Sequence, residues 1–239
     1  MKSLMGDYRD EHLFTLRQSL VAYRHYQQLI VEVDEKVRQL LSELPAKVDP
    51  AEDPIPKARN PRKTPWRNEP MGLREDLYRA FGVDLTQVPG IDSLTAQMLL
   101  TEIGPDLSAF PSISAFASWL RLCPDKRVSG GKVLSSRTGP TKNRAALALR
   151  MAAQGLHHSQ TFLGEYYRRM RARLGAPKAI TATAHKLARI IYHLLTRRQA
   201  YDESIFIVQE IRFRQRKEGR LRAQARELGF QLVPVAALP

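Results

Sequence analysis

Cysteine is almost missing from this chain of 239 residues: Cys123 stands alone, which excludes an internal disulfide framework and any multi-cysteine zinc site. That usage fits a reducing compartment, so a cytoplasmic protein is expected. Long apolar runs are missing too. No stretch approaches the ~20 residues of a membrane span, and charges interrupt the first thirty residues too often for a signal peptide. The six histidines follow no metal-ligand spacing, no H-E-x-x-H motif occurs, and no set of carboxylates looks able to hold Mg²⁺. No metal or other cofactor is therefore expected within this chain. The most telling scarcity is of acids. Between Lys126 and Tyr201 stand sixteen Lys and Arg residues and one acid, Glu165.

That block carries +15, within a chain whose total is +14. The remainder balances to −1, with 22 basic and 23 acidic residues. Charge concentrated in this way makes a local field that gathers phosphate, whereas evenly spread charge would only favour solubility. A solvated face and an anionic membrane surface are the alternatives. The membrane is disfavoured, because no face of Trp, Phe and Leu accompanies the cations. Duplex DNA, or another nucleic acid, is the expected partner. Apolar residues make up 43%, which is enough to fold.

The expected class is mainly α: a long N-terminal coiled-coil helix, a compact helical domain with a helix-hairpin-helix-like motif and a short β-hairpin, and a basic C-terminal helix. The expected boundaries are 1–50, 51–72, 73–200 and 201–239. Over 9–44, Leu13, Leu16, Leu20, Tyr23, Gln27, Ile30, Asp34, Val37, Leu41 and Leu44 follow an unbroken 3-4 spacing without Pro or Gly. A coiled-coil seam that makes a homo-oligomer is the favoured reading, against a helix packed on its own domain. Pro54, Pro56, Pro61, Pro65 and Pro70 then space a basic linker in which helix and central strand are excluded. Helices are expected at 73–81, 93–103, 113–122, 143–156, 159–173 and 181–198. A last one, 203–229, is expected to be interrupted near Gly219.

Two motifs could carry chemistry. Val88-Pro89-Gly90-Ile91-Asp92-Ser93 resembles the second half of a helix-hairpin-helix, in which Gly90 and Ile91 lie at a turn whose N–H groups face a phosphate. An ordinary capped helix fits the same residues. In Arg127-Val128-Ser129-Gly130-Gly131-Lys132, the Gly-Gly pair signals a hairpin turn that exposes Ser129. Arg127, Gly130, Lys132, Arg137, Lys142 and Arg144 could surround a phosphodiester there, with Lys178, Lys186 and Arg189 extending the basic surface. Serine needs an activating base or metal, and none lies nearby in sequence. On pattern alone a surface turn is the simpler reading of Ser129.

Taken together, Asp10-Glu11-His12-Leu13-Phe14, Pro89-Gly90-Ile91-Asp92, Trp119-Leu120-Arg121-Leu122-Cys123-Pro124, Ser129-Gly130-Gly131-Lys132, Leu174-Gly175-Ala176-Pro177-Lys178-Ala179-Ile180 and Ala184-His185-Lys186-Leu187-Ala188-Arg189 stand in an order that resembles the transposases of the insertion-sequence 110 / 116 / 902 family. The resemblance implies a DNA transposition and recombination protein in which Ser129 is the catalytic nucleophile. It also implies a guide (bridge) RNA as a second partner, oligomerisation, and Mg²⁺ held by an N-terminal acidic domain. That domain is missing from this sequence, so the resemblance leads to the expectation of a truncated chain that is inactive alone. The alternative is a non-catalytic, oligomerising nucleic-acid-binding protein.

Overall fold

The computed structural model describes residues 6, 8–59, 70–125, 127–135 and 137–231, with the side chains of Arg127, Val133 and several residues between 207 and 217 excepted. The chain is mainly helical. Two compact units are present, Met1–Ile55 with Arg62–Gly82, and Pro56–Pro61 with Val83–Pro239.

The first unit is built on α1 (Asp10–Glu43), an unbroken helix of 34 residues. Asp10 and Glu11 complement the positive end of its dipole. It ends where Pro45 forces Leu44 into extended backbone. Along the 3-4 stripe the two halves differ. Leu13, Leu16, Leu20 and Tyr23 are exposed, whereas Gln27, Ile30, Asp34, Val37 and Leu44 are half-buried and Leu41 is buried. The lower half is covered partly by α2 (Leu73–Phe81), which packs on α1 and buries Leu73, Leu77 and Phe81. Arg79 of α2 donates to two carbonyls at the end of α1, Leu44 O at 3.0 Å and Leu41 O, the second of which also accepts from Leu44 N–H at 3.2 Å. Tyr78 Oη donates to Asp53 at 2.9 Å, and Arg38 donates to Met71 O and pairs with Asp76 at 3.7 Å. Of the expected basic linker, residues 60–69 lie outside the described residues.

The second unit is a stack of helices around α7. Its elements are α3 (Ser93–Ile103), α4 (Ile113–Trp119), β1 (Arg127–Ser129), β2 (Lys132–Ser135), α5 (Arg144–Gly155), α6 (Phe162–Leu174), α7 (Ala176–Arg197) and α8 (Ser204–Glu227). Asp92, Ser112, Asn143 and Thr161 each cap the helix that follows by accepting from an N–H two or three residues into it. α7 packs against α6, α5 and α4, with Ala184, Leu187, Ala188 and Ile191 fully buried. α3 packs on α5 through Leu99 and the small residues Ala145 and Ala146, which let the two helices approach closely.

Several helix ends differ from the sequence expectation, each for a local reason. α7 starts at Ala176, not 181, because Pro177 falls in its first turn, where a missing N–H costs nothing. α4 stops at Trp119: Arg121 takes a left-handed φ of 52°, and Leu122 N–H closes back onto Ala117 O at 3.1 Å. α6 waits for its cap at Thr161. α8 runs through Gly219 without a break, an ion pair at 2.6 Å between Glu218 and Arg222 spanning the glycine.

Candidate nucleic-acid and strand-transfer site

The Gly130-Gly131 turn is formed as expected. Both glycines have positive φ, 55° and 74°, which the two-residue hairpin turn demands and which a side chain would strain. β1 and β2 pair antiparallel with Ser129 opposite Lys132, Val128 opposite Val133 and Arg127 opposite Ser135. The last pairing skips Leu134, a bulge that sets Ser135 opposite the backbone of Arg127. Ser129 and Lys132, directly opposite each other, share one face of this small ribbon.

Ser129 and Lys132 are both exposed, and among the described residues neither side chain has a hydrogen-bonding or ionic partner. Ser135 is less available, since its Oγ accepts from Arg137 N–H at 3.3 Å. The base of the hairpin is tied by Asp125 N–H donating to Arg137 O at 2.9 Å. The side chain of Arg127 lies outside the described residues. Arg137 and Lys142 are exposed beyond the second strand. Arg144 is already engaged, its Nε donating to Glu102 at 2.6 Å, so its charge is largely neutralised within the fold.

The turn at Gly90 is built differently from the expected phosphate cradle. The element before it is a 3-10 turn, Leu85–Gln87, held by buried Asp84, which accepts from Thr86 and Gln87. Gly90 has φ +88° and is exposed, yet a Cβ there would sit 3.0 Å from Ala152 O and 3.2 Å from Leu156. Glycine is needed for close approach to α5 as much as for any ligand. Ile91 cannot contact a phosphate as placed: its side chain is in the core and its N–H donates to Val88 O at 3.1 Å. Asp92 takes the N–H of Thr95 as an ordinary cap. The capped-helix reading describes this turn better.

The remaining expected residues lie on α7. Lys178 and Arg189 are exposed. Lys186 is half-buried, its Nζ 5.1 to 5.9 Å from the ring centres of Phe206, Phe162 and Tyr166. Phe206 itself stacks on Phe162 at 4.6 Å, which pins the start of α8 to the start of α6. Glu203 completes this pin by accepting from Phe162 N–H at 2.8 Å. Sequence reasoning passed over His185, His193 and Arg197, which share the outer face of α7 with Arg189. Their signal was present as a four-residue spacing.

Among the described residues, no group of three or more His, Cys, Asp or Glu side chains comes together as a metal site. No helix among the described residues is long and apolar enough to cross a membrane.

Residues 84–168, from the buried Asp84 into α6, match the family described as Transposase IS116/IS110/IS902. No curated protein and no solved structure matches the chain. The matched stretch contains both motifs, the Gly90 turn and the Ser129 hairpin, and supports a role in DNA transposition or recombination. The hairpin that presents Ser129 thus lies within the stretch that is similar to the IS116/IS110/IS902 transposase family.

Proposed function

We propose that this chain is the DNA-binding, serine-bearing part of an insertion-sequence transposase, with Ser129 as the nucleophile. One observation carries the reading: within the family-matched segment, Ser129 is held at a Gly-Gly turn, exposed and directly opposite the exposed Lys132. In the step this implies, Ser129 Oγ attacks a backbone phosphorus and gives up its proton to a base. The P–O bond to one deoxyribose breaks and that oxygen leaves as a hydroxyl. The phosphoserine ester keeps the phosphodiester at a similar energy, so a second DNA hydroxyl can reverse the attack and rejoin strands. Lys132, with Arg137 and Lys142 following, supplies positive charge for the phosphate oxygens. The base or Mg²⁺-binding carboxylates come from outside the described residues, from another domain or chain.

A guide RNA and self-association through the exposed upper half of the α1 stripe belong to the same proposal. Leu13, Leu16, Leu20 and Tyr23 support the association, since an apolar seam of this spacing is stabilised by burial in a partner helix. Binding to duplex DNA should be dominated by phosphate contacts. Its log–log slope against salt should then be about −0.9 for each phosphate neutralised. Affinity that hardly changes between low and moderate salt would remove the basis of this reading.

A further inference from the structure

α7 has an outer face on which positive charge is arranged with unusual regularity. His185, Arg189, His193 and Arg197 follow one another at intervals of four residues, with Lys178 and Lys186 on the same side. At ~1.5 Å per residue, a cation or potential cation recurs about every 6 Å over a ridge of ~18 Å. Lys178, Arg189, His193 and Arg197 are exposed, and His185 and Lys186 are half-buried. The opposite side of α7 supplies the core through Ala184, Leu187, Ala188, Ile191 and Leu195, so Lys178, Arg189, His193 and Arg197 point outward.

Among the described residues, the helices packed directly on α7 bring few acids to it, and Glu203 at the start of α8, which accepts from Phe162 N–H at 2.8 Å, lies toward the Lys186 end. α7, α5 and α4 contain no acid at all. α6 contains one, Glu165, and adds Arg169 and Arg173, which act on Tyr166 together with Arg189. α5 adds only Arg144 and Arg150. The groups that face His185 and His193 are therefore arginines, Arg189 for the first and Arg197 and Arg189 for the second, with the Tyr192 ring centre 6.0 Å from that of His193. A ridge that gathers like charges with few counter-charges is costly in the free protein and is relieved by a polyanion.

We propose that the outer face of α7, from Lys178 to Arg197, is where the phosphate backbone of duplex DNA lies, and that His185 and His193 take up protons as it docks. The inference rests on the proposed function and names the surface of the fold that carries its binding. Backbone rather than bases is the ligand, because the aromatic residues near the ridge are committed elsewhere. Phe162, Tyr166 and Phe206 surround Lys186, and Tyr192 Oη donates to Phe110 O at 3.2 Å. No stacking platform for unpaired bases is left there. In the free protein, partial burial and the neighbouring arginines hold both histidines below the ordinary imidazole range. A row of phosphates reverses that field, so each histidine gains a proton on binding and affinity rises as pH falls.

The test is fluorescence anisotropy of the full chain on a blunt DNA duplex of about 20 base pairs, at constant ionic strength and at about pH 8, 7 and 6. The affinity should increase toward pH 6, by at most about tenfold per pH unit for each proton taken up. His185→Asn with His193→Asn should remove most of that increase. His157→Asn with His158→Asn should leave the increase in place. Arg189→Gln with Arg197→Gln should weaken binding at every pH and reduce the salt slope by about 1.8. An unchanged pH response in the His185/His193 variant, together with wild-type affinity in the Arg189/Arg197 variant, would overturn the assignment while leaving DNA binding intact. A single strand or an RNA duplex of equal length that binds more tightly than the DNA duplex would overturn the choice of ligand. Absence of binding by the wild-type chain at low salt and any pH would instead defeat the proposed function itself.

Discussion

Ser129 and Lys132 are the pair that closes the β1–β2 hairpin, facing each other across Gly130-Gly131. A two-residue turn with both φ positive leaves little freedom in that relationship, because a residue with a Cβ at Gly130 or Gly131 is strained there. Gly131→Val should therefore disturb the hairpin while sparing the helical core. The expected result is an unchanged helical circular-dichroism signal and melting temperature within about 2 °C, with strand-transfer activity lost. A large fall in melting temperature would mean that the hairpin is part of the core.

At the other end of the chain, the two halves of the α1 stripe should respond differently to charge. Leu16→Asp and Leu20→Asp fall on exposed positions, so they should abolish self-association and leave the protomer folded. Leu41→Asp falls on a buried position and should destabilise the first unit outright. Sedimentation velocity combined with thermal melts separates the cases. A wild-type chain that stays monomeric at high concentration would rule out the seam as an interface.

Arg79 holds the last carbonyls of α1. Arg79→Ala leaves them without those donors and should cost about 1–3 kcal/mol in the unit that contains α1 and α2. Hydrogen exchange at the end of α1 and in α2 would report the loss locally, with α5 and α7 unaffected.

Acid should destabilise the unliganded protein through its histidines. His157, His185 and His193 all have their protonation disfavoured in the folded state, by burial and then by neighbouring cations. Their contribution is complete above the unfolded histidine pKa of about 6.5 and is lost as pH falls below it. The melting temperature should fall from neutral pH toward about pH 5.5. That fall should be shallower in the His185→Asn/His193→Asn variant, and DNA should oppose it. A fall of equal steepness in that variant would exclude these two histidines as its source.

The sequence made the helices legible wherever apolar spacing and a cap agreed. The starts expected for α3 and α5, at 93 and 143, are reproduced by the structure within a residue, where Asp92 and Asn143 cap the two helices. The hairpin was legible because two glycines take successive positive φ angles without strain. Ends governed by chain geometry were less so. Pro177 reads as a breaker until it is seen in the first turn of α7, and Gly219 reads as a break until its neighbours are seen to bridge it. The site was legible as charge but not as partition. Nothing in the sequence shows that Arg144 is engaged by Glu102, 42 residues away, or that Ile91 belongs to the core. The ridge on α7 was missed because its histidines were weighed as metal ligands, and their spacing from arginine was the informative quantity.

The account turns on Ser129, and the most direct measurement is the identity of the residue joined to DNA. The full chain would be combined with Mg²⁺, a guide RNA, an acidic domain of the kind that the resemblance implies, and a DNA substrate nicked beside the scissile bond. Covalent protein–DNA product would then be digested and mapped by mass spectrometry. The account predicts a phosphodiester on Ser129, none in Ser129→Ala, and nearly unchanged DNA binding in that variant, since one hydroxyl contributes little beside sixteen basic side chains. Adduct on Ser135 or Ser136, or adduct that persists in Ser129→Ala, would contradict it.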